Sequence, residues 1–142
     1  MGFLSLLLNI LWIITGGVWM ALGWVLAGVL MAITIIGLPW SLSAFKIANY
    51  TLFPFGRVAV DRGMVHGADE APGAFSFIGN LLWLILAGWW LALGHVITAV
   101  GLAITIIGLP FAWAHLKLAG LSLWPMGKAI IPADTYAFIS GR

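Results

Sequence analysis

Polar positions in this chain are bunched, not periodic. Met1 to Phe45 contains no Asp, Glu, Lys or Arg, and Ala71 to Leu116 contains none either. Neither block alternates apolar and polar residues in the period of two that a barrel strand needs. Both are apolar on every face, as helices buried in protein or bathed in lipid are. A straight helix of about 45 residues would run roughly 65 Å at ~1.5 Å per residue, while the hydrocarbon core of a bilayer is only ~30 Å thick. Each block therefore holds two passes, or one pass plus a re-entrant or interfacial segment.

Composition turns this pattern into a class. Of the 142 residues, 63% are hydrophobic and 7% are charged, against about a quarter charged in a soluble domain. So few charges cannot cover a water-facing surface, so the chain is read as an integral membrane protein. There is no cysteine, which removes disulfides and thiolate metal sites. The net charge of +2 gives no reason to expect nucleic acid. The opening "MGFLSLLLN" lacks the positive region of a cleaved signal peptide and is read as retained, within the first helix.

The chain also repeats itself. "ITIIGLP" runs from Ile33 to Pro39 and again from Ile104 to Pro110. With a shift of 71 residues, 24 of the 49 positions from Asn9 to Arg57 are identical to Asn80 to Lys128, without a gap. Each unit carries Asn and Trp (Asn9, Trp12; Asn80, Trp83), then Gly-x-Trp-x-Ala-Leu-Gly or its close match, then the heptad, a lysine (Lys46; Lys117), and Leu-aromatic-Pro-x-Gly-basic. An internal duplication of this kind governs the whole fold reading. It divides the chain into unit 1 (residues 1–57), a polar Gly-rich linker (58–76), unit 2 (77–129) and a short tail (130–142).

Charge placement orients the units. The six basic residues are Lys46, Arg57, Arg62, Lys117, Lys128 and Arg142. If each unit crossed once, Lys46 and Lys117 would face opposite sides, which the preference of basic residues for the cytoplasm penalises. Two passes per unit put all six on one side. The expectation is an all-α membrane protein with four transmembrane helices in two parallel two-helix repeats. Linker and both termini then lie in the cytoplasm. The outer turns are expected near Leu22–Trp24 and Leu93–His95, with Trp19, Trp24, Trp89 and Trp90 as an interfacial belt. Phe53, Phe55 and Trp124 form the cytoplasmic one. Gly37-Leu38-Pro39 and Gly108-Leu109-Pro110 are expected to kink the second helix of each repeat. Thr34 and Thr105 would re-satisfy the freed backbone groups.

The repeated N-I-x-W, I-x-x-I-G-x-P, F-K-x-A and L-x-P-x-G motifs resemble the YccF family, also called the inner membrane component domain. The resemblance covers nearly the whole chain, duplication included. It implies a bacterial inner-membrane protein with two copies of a two-helix domain. It brings no reaction, substrate or catalytic residue. One departure is His115-Leu116-Lys117, where the first unit has Ala44-Phe45-Lys46.

The candidate polar-path residues are Asn9, Asn80, Thr34, Thr105, Lys46 and Lys117. A buried amide in a membrane needs a partner, which makes Asn9 and Asn80 either path-lining or helix-joining. Lys46 and Lys117 lie close enough to a helix end to snorkel to headgroups. Around a shared axis they would instead form a basic pore mouth. Gly17-x-x-x-Ala21 and Gly88-x-x-x-Ala92 let helices approach closely. His95 and His115 have no paired carboxylate and suggest neither metal site nor proton relay. The "HGADE" stretch, His66 to Glu70, reads as a solvated linker.

All four carboxylates lie in linker or tail, so an enzyme is not expected, and no cofactor is implied. Two functions remain. One is a subunit of a small homo-oligomeric ion channel, its lysines favouring anions. The alternative is a non-transporting module that binds membrane lipid or a partner membrane protein.

Overall fold

The computed structural model describes residues 2–67 and 73–141. The first unit forms α1 (Phe3–Trp12), a π-helical turn (Ile13–Gly17), α2 (Val18–Ile33), α3 (Leu38–Leu52), β1 (Arg57–Asp61) and a short α4 (Arg62–His66). The second repeats the order with α5 (Ala74–Trp83), a π-turn (Leu84–Gly88), α6 (Trp89–Ala103), α7 (Leu109–Leu123), β2 (Lys128–Pro132) and α8 (Ala133–Ile139). The helical runs Phe3–Ile33 and Ala74–Ala103 are long and apolar enough to cross a membrane. The chief packing is within units: α2 lies along α3, and α6 along α7.

The reversal falls at the heptad, not at the expected outer turns. Leu22–Trp24 and Leu93–His95 lie inside unbroken helix. The chain turns back between Ile33 and Leu38, and between Ala103 and Leu109. Gly-Leu-Pro therefore opens the second helix and does not kink it. Gly37 is the N-cap of α3 and Pro39 sits in its first turn, where a missing N–H costs nothing. Pro110 does the same for α7. Glycine is required because a Cβ on Gly37 would lie 2.7 Å from the Met31 carbonyl oxygen.

Thr34 and Thr105 close the turn between helices, where they were expected to serve a kink within one. Thr34 Oγ1 donates to the Met31 carbonyl (2.6 Å) and accepts from the Gly37 amide (3.0 Å). Thr105 mirrors this with Leu102 and Gly108. In the first hairpin every N–H from Thr34 to Trp40 has a partner within the turn region, Pro39 having none to offer. Yet the side chains at these tips are bare: Ile35 is 77% exposed, Ile36 74%, Ile106 86% and Ile107 84%.

The two units meet about a pseudo-two-fold axis. β1 and β2 pair antiparallel, with the equivalent residues Ala59 and Ile130 directly opposite. The Arg62 amide bonds the Gly127 carbonyl (3.0 Å), and the Ala133 amide bonds that of Gly56 (2.9 Å), again as equivalents. Deeper in, Trp24 meets its counterpart His95. With starts joined by the ribbon and middles in register, the hairpins run the same way and both tips point away from the ribbon. The linker and tail thus add a two-stranded ribbon to the expected all-helical chain. The His66–Glu70 stretch lies partly outside the described residues, which resume at Gly73.

Candidate functional site: a buried Trp–His core and two clefts beside the ribbon

The repeated Asn and Trp act as a bracket. Asn9 Nδ2 donates to the Phe55 carbonyl (3.0 Å), while its Oδ1 accepts from the Phe55 amide (2.9 Å). Asn80 holds the Met126 carbonyl (3.2 Å) and amide (2.7 Å) in the same way. Trp12 Nε1 donates to the Thr51 carbonyl at 2.6 Å and Trp83 Nε1 to that of Ser122 at 2.7 Å, each at the C-terminal end of a hairpin arm where carbonyls lack helical partners. The chain then leaves through Gly56 (φ 88°) and Gly127 (φ 90°), a backbone region that favours glycine. N-x-x-W and L-x-P-x-G are therefore two halves of one joint.

Gly17 and Gly88 serve the same joint. A Cβ on Gly17 would run into the Trp12 indole, and one on Gly88 would lie 2.7 Å from the Ser122 carbonyl oxygen. The close approach expected of these glycines is made to their own unit's tryptophan and second arm. Ala21 and Ala92 are buried one turn further along.

The duplication diverges at the centre. Where unit 1 has Trp24 and Ala44, unit 2 has His95 and His115, both histidines fully buried. Trp24 Nε1 donates to His95 Nε2 (3.2 Å), and the two histidine Nδ1 atoms lie 3.0 Å apart. Trp83 stacks on Trp24 at 5.1 Å and Trp12 on His115 at 4.2 Å. The two histidines, expected to form neither metal site nor proton relay, are partners across the α6–α7 hairpin. Geometry orders their protons. His95 Nε2 accepts, so neutral His95 carries its proton on Nδ1 and donates it to His115 Nδ1. Neutral His115 then carries its own on Nε2, which is buried with no partner among the described residues. Nitrogen NMR should find opposite tautomers in the two rings, and Trp24→Phe should abolish the preference at His95. Two rings in one tautomer would overturn the order. Among the described residues no group of three or more His, Cys, Asp or Glu is placed to hold a metal.

Lys46 and Lys117 lie apart from this core. Each lines a cleft beside the ribbon. The first, of about 450 Å³, is bordered by Lys46, Asn49, Arg57, Arg62, His66 and Lys128 with the β2 backbone. The second, of about 440 Å³, has Lys117, Lys128, Gly120, Tyr50, Trp124 and Tyr136. A shift of 71 residues carries Lys46, Asn49 and Arg57 onto Lys117, Gly120 and Lys128, so the clefts are duplicates. Arg57 is fixed by Asn49 Oδ1 (3.1 Å), the Asn49 carbonyl (2.9 Å) and the Phe53 carbonyl (3.0 Å). Burial pulls its pKa below the ordinary value, with Tyr50 opposing. An arginine keeps its charge at neutral pH nonetheless. Lys128 bridges Asp61 at 2.6 Å.

The comparisons with known proteins match this two-unit layout. A family profile described as an inner membrane component domain, YccF, matches residues 7–57 and 78–128. The chain is 36% identical over 130 residues to the inner membrane protein YccF of Escherichia coli K12, covering 90% of this chain and 88% of the relative. The Shigella flexneri protein of the same name matches to the same extent. The chain belongs to the YccF family. No solved structure matches it.

Three of the four YccF motifs named in the sequence are thus structural in this chain, forming the bracket, the hairpin turn and the ribbon entry, while F-K-x-A brings Lys46 to a cleft. Sequence reasoning named Asn9 and Asn80 but missed Phe55 and Met126 as their partners, although both pairs are separated by 46 residues. It also placed Trp24 in an outer belt, whereas Trp24 is core. Phe53 and Trp124 do remain exposed at the ribbon end.

Proposed function

We propose that this YccF-family chain is a non-transporting membrane module, two parallel helical hairpins inserted from the cytoplasmic face. The supporting observation is the fate of the polar-path residues. Asn9, Asn80, Thr34 and Thr105 all spend their side chains on joints and turns within their own unit. Lys46 and Lys117 sit at separate clefts near the ribbon. A channel would need these groups around one wet axis in several copies, and this arrangement gives them none within the subunit.

The ribbon end, with Arg57, Arg62 and Lys128, is placed at the cytoplasmic headgroups by the positive-inside preference. The apolar runs Phe3–Ile33 and Ala74–Ala103, of 31 and 30 residues, are long enough to cross, but the returning arms α3 and α7 have 15 residues each, about 22 Å at ~1.5 Å each. Both fall short of the ~30 Å hydrocarbon core. The bare isoleucine tips, with backbone amides satisfied internally in the first hairpin, suit hydrocarbon, where an unsatisfied group costs several kcal/mol. In this topology the tips end inside the bilayer.

Purified protein in liposomes should pass no more ions than empty liposomes. Anion-selective conductance that reverses with Lys46→Glu and Lys117→Glu would restore the homo-oligomeric channel instead.

A further inference from the structure

The two clefts began as copies and did not stay so. At the position of Gly120 the first cleft has Asn49, and at the position of Ala133 it has Arg62. The second cleft acquired aromatic walls from Tyr50, Trp124 and Tyr136. The first is thus the cationic member of the pair. Among its described lining residues none is a carboxylate. Lys128 is neutralised by Asp61, while Arg57 is held, among the described residues, by neutral oxygens and by the face of Tyr50, 5.6 Å from its ring centroid. Those bonds use three of the five donors of a guanidinium. Arg62 spends one nitrogen on Ser76 Oγ (3.1 Å), and its buried Nε has no acceptor among the described residues. Asp69 and Glu70 lie outside the described residues.

Two preset guanidinium groups with spare donors match the oxygens of a phosphate, which arginine binds through paired parallel bonds. We propose that the cleft of Lys46, Asn49, Arg57 and Arg62 binds a phosphate-bearing anion, supplied by the headgroup of an anionic phospholipid. This assignment rests on the reading that the ribbon end lies at the headgroup layer. Arg57 and Arg62 grip the phosphate, Asn49 holds Arg57 in place, and Lys46 at the exposed rim supplies long-range attraction. The duplicate cleft, with two lysines and three aromatic walls, lacks both guanidinium groups and the unpaired Nε.

Native mass spectrometry of the full chain tests this, with phosphatidylglycerol and phosphatidylethanolamine offered in equal amounts. The wild type should retain phosphatidylglycerol selectively. Arg57→Gln with Arg62→Gln should weaken retention by about tenfold or more, each charge-assisted bond being worth roughly a factor of ten. Lys117→Gln, in the other cleft, should leave it unchanged. If the double arginine variant fails to fold, Lys46→Gln serves instead, with a smaller loss and a steeper fall as salt rises. Inorganic phosphate separates the sources. Displacement of lipid only at concentrations far above those of the lipid supports a headgroup site. Binding of phosphate at equal strength without lipid overturns the lipid source. Equal retention of both lipids, or of phosphatidylglycerol by wild type and variants, overturns the site. Liposome ion flux reports the non-transporting reading separately, so either can fail while the other stands.

Discussion

Asn80→Leu should lower the stability of the folded protein by about 2–6 kcal/mol. Leucine has the same branched four-atom side chain as asparagine, with methyls bulkier than the amide, so no cavity opens and the loss is chiefly one of hydrogen bonding. Two backbone groups of Met126, its amide and its carbonyl, would be left without their side-chain partner in a buried site. Each such group costs about 1–3 kcal/mol. Hydrogen bonds between membrane helices measure lower, near 0.6 kcal/mol on average, because the unfolded chain finds other partners. That discount is weak here. Met126 precedes Gly127 at φ 90°, in a non-helical turn where no helical carbonyl or amide can substitute. The midpoint of thermal or denaturant unfolding in detergent reads the effect, and Asn9→Leu should give a comparable loss. A change under ~0.5 kcal/mol in both variants would remove the bracket from the account.

Much of this fold was legible in the sequence. The duplication and the charge-free blocks can be read directly from the residues, and they carried the membrane class and the repeated two-helix order. What misled was a proline. Gly-Leu-Pro reads equally well as a kink inside a helix or as the opening of a new one, and local sterics alone do not choose. One misplaced turn then hid a contact. With the reversal at Leu93–His95, His95 and His115 fall far apart. With it at the heptad, they lie 11 and 9 residues either side of Ile106, facing each other across the hairpin. The asparagine partners were hidden for another reason: Phe55 and Met126 bond through their backbones, and a backbone group leaves no mark in a sequence.

Ile36→Asp together with Ile107→Asp tests where the hairpin tips lie. Both isoleucines are largely exposed, at 74% and 84%, so no packing is lost and the environment alone decides the outcome. In water, surface substitutions of this kind stay within about ±0.5 kcal/mol. At the centre of a membrane helix an aspartate costs ~2.5–3.5 kcal/mol. With the ribbon at the near headgroups, returning arms of about 22 Å place the tips past the midplane but short of the far headgroups, so roughly 1–3 kcal/mol per site is expected. Aspartate is chosen over lysine because a long lysine stem would reach the far headgroups and relieve the cost. The double variant should therefore insert and fold poorly, losing about 2–6 kcal/mol if the two sites add. In the otherwise native chain, Ile107→Cys should resist a membrane-impermeant maleimide added from the periplasmic side. Ready labelling of that cysteine, with the aspartates tolerated, would mean that the tips emerge into water and that all four helices cross the bilayer.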